Sequence, residues 1–196
     1  DADQTLSLAA GLAAGSAAAD GTLTISGGAS ARTMTIGGTA VTADTVNLSG
    51  VLSDTTMTMG TVDATITGGA GDDDVSFANT LTSADTIDLG DGNDRIILDP
   101  STNLTAAPTI SNVEEIEIGA TADVSLNLTS AAIPEIVLQA QNGVTNVATL
   151  VNMAGITTIT ADSGAANNDD DFNGLTLQGT GYAGTSDAIA INVTSD

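Results

Sequence analysis

The residues best suited to chemistry cluster in one stretch, T-G-G-A-G-D-D-D-V-S from Thr67 to Ser76, and again in L-G-D-G-N-D-R-I-I from Leu89 to Ile97. Carboxylates stand side by side at Asp72, Asp73 and Asp74, and others follow at Asp88, Asp91 and Asp94, with Arg95 the only base nearby. Adjacent carboxylates repel, and each glycine costs backbone entropy on folding. A hard divalent cation resolves both problems. Glycines permit a tight turn that aims main-chain carbonyls at one point, and the aspartates add charged oxygens. The candidate metal-binding residues are Gly69, Gly71 and Asp73 in the first copy and Gly90, Asp91, Gly92 and Asp94 in the second. Calcium takes six to eight oxygens, so two stacked turns are expected to share an ion, with Asp73 and Asp94 facing it from adjacent coils. The competing reading is that these are ordinary Gly-Asp turns between strands.

Composition narrows the remaining chemistry. The 196 residues carry 25 acidic and 2 basic side chains, a formal net charge of −23, yet hydrophobic residues make up 41%. Disorder requires low hydrophobicity together with high net charge, so a folded, strongly acidic protein is expected. Nucleic acid and anionic membrane surfaces both need lysine and arginine for binding, and neither suits this chain. There is no cysteine for a disulfide or thiolate site, and no histidine for a zinc enzyme or a serine triad. With few groups able to titrate near neutral pH, no enzymatic activity is expected. No window approaches the apolar run of a membrane helix, so no membrane insertion is expected.

The elements that must position these turns are short and alternating: TLTIS at 22–26, TMTIG at 33–37, TVNLS at 45–49, ATITG at 64–68, TIDLG at 86–90, RIILD at 95–99, EIEIG at 115–119 and EIVLQ at 135–139, with others between and beyond. Period-two alternation rich in Thr, Ile, Val and Leu, ending near Gly, Asn, Asp or Ser, is the signature of strands. The strands are near-copies of one another, and aromatics are only 2% of the chain. Both features favour an all-β parallel β-helix, or β-solenoid, whose narrow core is filled by Ile, Val, Leu and Ala and whose coils stabilise their neighbours. A β-sandwich is the alternative. Residues 1–99 are expected to form N-terminal coils bearing the acidic turns, and 100–196 further coils, with one continuous domain as the alternative. The stretch 100–112, PSTNLTAAPTISN, is the expected seam or change of coil shape. The run NNDDDFN at 167–173 reads as a solvated acidic loop, with a second ion held through Asp169 or Asp171 as the alternative. Arg95 is expected to pair with a carboxylate across coils, the alternative being a plain surface charge.

Aligned from Gly68, G-G-A-G-D-D-D-V-S satisfies the nonapeptide G-G-x-G-x-D-x-U-x, and L-G-D-G-N-D-R-I-I satisfies it except that Leu89 replaces the first glycine. On this motif, the Thr/Ala/Gly-rich composition and the phrase ISNVEEIEIGA at 110–120, the chain resembles RTX-type calcium-binding secreted proteins, most closely the calcium-dependent surface-layer proteins of Gram-negative bacteria. RTX arrays run in contiguous nonapeptides, whereas these copies lie 21 residues apart and one is incomplete, so one or two ions are expected rather than a long ladder. The resemblance implies a calcium-stabilised, self-assembling protein at the cell surface, with Ca²⁺ and further copies of itself as partners and an extracellular location. A repeat or binding module of an RTX-type adhesin is the alternative. An ice-binding solenoid or a polysaccharide-modifying β-helix fits less well, the latter because such sites recruit the Lys, Arg, His or Tyr that this chain nearly lacks.

Overall fold

The structure is a computed structural model, and it describes residues 3–7, 21–27, 32–119, 121–129, 133–139, 147–152, 158–162, 174–178 and 190–194. The acidic run at 167–173 lies outside them. Among the described residues the chain forms β1 (Gln4–Ser7), β2 (Thr22–Gly27), β3 (Thr33–Val41), β4 (Thr45–Val51), β5 (Asp54–Met59), β6 (Thr65–Thr67), β7 (Asp73–Phe77), β8 (Thr86–Asp88) and β9 (Arg95–Leu98). It continues through β10 (Leu104–Ala106), β11 (Thr109–Ser111), β12 (Glu115–Ile118), β13 (Val124–Asn127), β14 (Glu135–Gln139), β15 (Val147–Val151), β16 (Thr158–Asp162), β17 (Gly174–Gln178) and β18 (Ala190–Thr194).

Strands pair with the strand one coil away, never with the next in sequence. The large sheet runs β1-β3-β5-β7-β9-β12-β14-β16-β18, flanked by a five-stranded side sheet, β11-β8-β6-β4-β2, and a four-stranded one, β10-β13-β15-β17. The described pairings are parallel throughout. The chain is a β-solenoid, and the sandwich alternative falls because its sheets would be antiparallel. No helix of the described residues is long and apolar enough to cross a membrane.

The near-copy strands now have their physical reason. In parallel stacking, each residue sits on its counterpart one coil away, so inward positions must match in size and polarity. Ile36, Met57, Val75, Ile96, Ile116, Ile136 and Ile159 form one such column in the large sheet. They are buried, as are Val46, Ile66, Ile87 and Ile110 on the facing side sheet. Phe77, 1% exposed, is the one described aromatic ring, and it lies within this aliphatic core.

The stretch 100–112 is where the coil changes shape. One coil contributes both β10, the first strand of the four-stranded sheet, and β11, the last strand of the five-stranded one. The large sheet passes this point without a break, because Arg95–Leu98 pairs in register with Glu115–Ile118. β10 and β11 fall in the stretch 100–112, where Pro100 and Pro108 interrupt the alternation that marks the other strands. The acidic turns lie just before this change, at the corner where the five-stranded sheet gives way to the large one.

Candidate metal centre

Two turns at this corner carry the sequence-predicted residues: 68–72, joining β6 to β7, and 89–94, joining β8 to β9. They stack directly. Gly68 N–H donates to the Asp88 carbonyl at 2.7 Å, and Asp91 N–H donates to the Gly69 carbonyl at 3.1 Å. Gly90 and Gly92 have φ of +96° and +145°, which favour glycine. A Cβ on Gly90 would run into the Gly69 carbonyl oxygen, and one on Gly92 into that of Gly71. Gly71 itself packs on the Ser53 and Asp54 backbone of the preceding coil. The glycines therefore let two main chains close on each other, and the Gly69 carbonyl points along the stack to the next coil.

The aspartates do something composition does not reveal. At the corner some main-chain N–H groups still reach carbonyls of the neighbouring coil, but for others carboxylates take the carbonyls' place. Two ladders result. In the outer one, Asp54 Oδ1 accepts from Asp72 N–H at 3.1 Å and Asp72 Oδ1 accepts from Asn93 N–H at 2.8 Å. In the inner one, Asp73 Oδ1 accepts from Thr55 N–H at 2.9 Å, Asp94 Oδ1 from Asp73 N–H at 2.8 Å, and Glu114 Oε2 from Asp94 N–H at 2.8 Å. Asp73 Oδ2 also accepts from Gly69 N–H at 3.0 Å. Each such bond spares a main-chain donor the cost of going unsatisfied.

The inner ladder is dry at its two aspartates. Asp73 and Asp94 are each 1% exposed. Burial pushes the Asp73 carboxyl above its usual range, with the N–H bonds from Gly69 and Thr55 opposing. Asp94 is pushed from 3.8 to about 7, first by burial and then by the charges of Asp73, Glu114 and Asp72, while the N–H bond from Asp73 opposes. Asp94 Oδ2 is buried and has no hydrogen-bond partner among the described residues. A buried carboxylate oxygen without a donor is costly, and a proton, a cation or an ordered water can satisfy it.

Of the predicted residues, the structure brings Gly69, Gly71, Asp73, Gly90, Gly92 and Asp94 together at the stacked turns, with Asp91 exposed at the edge. Asp73 and Asp94 do come from adjacent coils, but their first partners are main-chain N–H groups. Among the described residues, no three His, Cys, Asp or Glu side chains gather round one point. A calcium ion here would draw on main-chain carbonyls and water as well as carboxylates. Asp94 fits that role through Oδ2.

Sequence reasoning missed two members of this system. Glu114 continues the inner ladder; its signal was spacing, since Asp73, Asp94 and Glu114 recur at 21 and 20 residues. Asp85, 1% exposed, anchors the next corner of the coil by accepting from Ala64 N–H and Thr82 N–H, each at 2.7 Å. Without a glycine turn beside it, Asp85 gave no motif. Arg95 pairs across coils as expected, and on both sides. It grips Asp74 through Nε and Nη2, each at 2.9 Å, and reaches Glu117 Oε2 through Nη1 at 2.6 Å.

No family model, no curated protein and no solved structure matches this chain. Function has to be argued from the geometry.

Proposed function

We propose that the chain is a structural, calcium-stabilised β-solenoid segment of an extracellular surface-layer or other self-assembling surface protein, and not an enzyme. The observation that carries this reading is Asp94 Oδ2, buried and without a donor, with Asp72, Asp73 and Glu114 adding negative charge around it. The nearby base, Arg95, is committed to Asp74 and Glu117. A bound divalent cation removes the mutual repulsion and satisfies the open oxygen in one step. The resemblance of the glycine turns to RTX and surface-layer proteins supports calcium as that cation, and the near absence of proton-moving side chains supports a structural role.

Calcium supplies charge neutralisation here; the chain supplies the frame. Asp94 is the ligand with an oxygen to offer, and the Gly90 and Gly92 conformations hold the turn that bears it. The ladder from Thr55 to Glu114 fixes the height of each coil. Extracellular calcium modules typically bind at about 10⁻⁴ to 10⁻³ M, so the chain stays loose in a calcium-poor compartment and tightens outside the cell. The test is purified protein imaged by electron microscopy in calcium and in chelator. Ordered sheets or filaments in calcium alone support the proposal. Identical, unassembled particles in both remove the assembly reading.

A further inference from the structure

We propose that calcium is held between the second acidic turn and the coil after it, by Asp94 and Glu114, and that Asp73 is a structural residue of the ladder and not a ligand. This rests on the calcium reading above and deepens it by locating the ion.

The first line of argument is what each carboxylate has left to give. Asp73 spends both oxygens on main-chain N–H groups, one from the preceding coil and one from its own turn. Both Asp73 oxygens thus already face a donor, so the folded turn gains least from an ion there. Asp94 spends Oδ1 on the Asp73 N–H and keeps Oδ2 open. Glu114 spends Oε2 on the Asp94 N–H, which sets its carboxylate directly over residue 94.

The second line is a step in the stack. Turn 89–94 lies on turn 68–72, and both carry the glycine pattern. The next turn, 112–114, is far shorter, because β11 ends at Ser111 and β12 begins at Glu115. It therefore cannot cover the whole of the turn beneath it, and Asp91, Gly92 and Asn93 are exposed. Asn112, at φ 50°, makes this tighter corner. A glutamate at 114 follows from the same geometry, since its extra methylene lets it reach back over the step where an aspartate on so short a turn falls short. The site thus has the Asp94 carboxylate, with Oδ2 lacking a donor, on one side and the Glu114 carboxylate at the Asp94 N–H on the other. The exposed Asp91–Asn93 ledge lies beside them, which suits calcium's flexible oxygen shell.

The experiment compares wild type, Asp73→Asn, Glu114→Gln and the exposed control Asp99→Asn. Titration calorimetry gives the calcium affinity, and melting in chelator gives the metal-free midpoint. Glu114→Gln keeps an acceptor for the Asp94 N–H and removes a repelling charge, so its midpoint in chelator should be no lower than wild type while its calcium affinity falls about tenfold or more. Asp73→Asn should melt lower in chelator, because Gly69 N–H loses its acceptor, yet keep its calcium affinity within a few-fold. Asp99→Asn should behave as wild type. Calcium affinity unchanged in Glu114→Gln overturns the inference, whether or not Asp73→Asn folds. If wild type itself neither binds calcium nor melts higher in it, the calcium reading fails and the inference with it.

Discussion

Replacing Asp94 by Asn separates two of the ways of satisfying its open oxygen, a proton and a cation. Asn retains an oxygen for the Asp73 N–H and removes the buried charge. In the metal-free protein the Asp94 carboxyl titrates near 7 against 3.8 when unperturbed, a gap worth about 4 kcal/mol of ionisation cost. The sign follows from proton linkage. Below about pH 4 the carboxyl is protonated in both folded and unfolded chains, and no stability is lost. As pH rises toward 7 the unfolded chain ionises first, and wild-type stability falls by up to that amount before levelling off. Asp94→Asn does not titrate there, so in chelator at pH 8 it should be more stable than wild type, by up to about 4 kcal/mol, with the gain shrinking toward pH 4. For a chain of this length that is a rise in midpoint of roughly 8–16 °C. Calcium should close most of that gap, raising wild type and leaving the variant where it was. Circular dichroism melts across pH 4–8, in chelator and in calcium, read all of this. An Asp94→Asn variant that melts below wild type in chelator at pH 8, with no pH trend in the difference, refutes the reasoning.

Other expectations test the frame. Ile116→Ala opens the aliphatic column between Ile96 and Ile136 and should cost about 2–5 kcal/mol by urea denaturation; a loss well under 1 kcal/mol would mean the column is not close-packed. Gly92→Ala should destabilise far more than Gly27→Ala. Both have positive φ, but only at Gly92 does a Cβ meet the Gly71 carbonyl and Asp94 Oδ1, so equal melting shifts would contradict the stacked turns. Asp85→Ala leaves the Ala64 and Thr82 N–H groups without their acceptor and should cost about 2–4 kcal/mol, whereas a silent substitution would show that this corner is held by other means.

The solenoid was legible because parallel stacking writes itself into sequence. Ile36, Val75, Ile96, Ile116 and Ile136 repeat one apolar choice at one point of each coil, and alternation marks the strands around them. The stacked glycines were legible for the same reason, as Gly69 over Gly90 and Gly71 over Gly92 share a spacing. The job of the aspartates was not. A carboxylate that accepts a main-chain N–H and one that binds an ion look alike in one dimension, and only the path of the backbone shows that Asp73 has both oxygens engaged and Asp94 has one. Glu114 hid because its coil reaches the ladder by a shorter, glycine-free turn. β10 and β11 hid because Pro100 and Pro108 break the alternation around them.

The most direct test of the central claim is the melting midpoint of the wild-type protein in calcium, in magnesium and in chelator at neutral pH. At free calcium about a hundredfold above Kd, one site adds roughly 2.7 kcal/mol to the folded state. The midpoint should then rise by about 5–11 °C in calcium. Magnesium, with its strict octahedral shell, should give much less. The same midpoint in all three solutions would contradict the account and leave the acidic turns as ladders of hydrogen bonds alone.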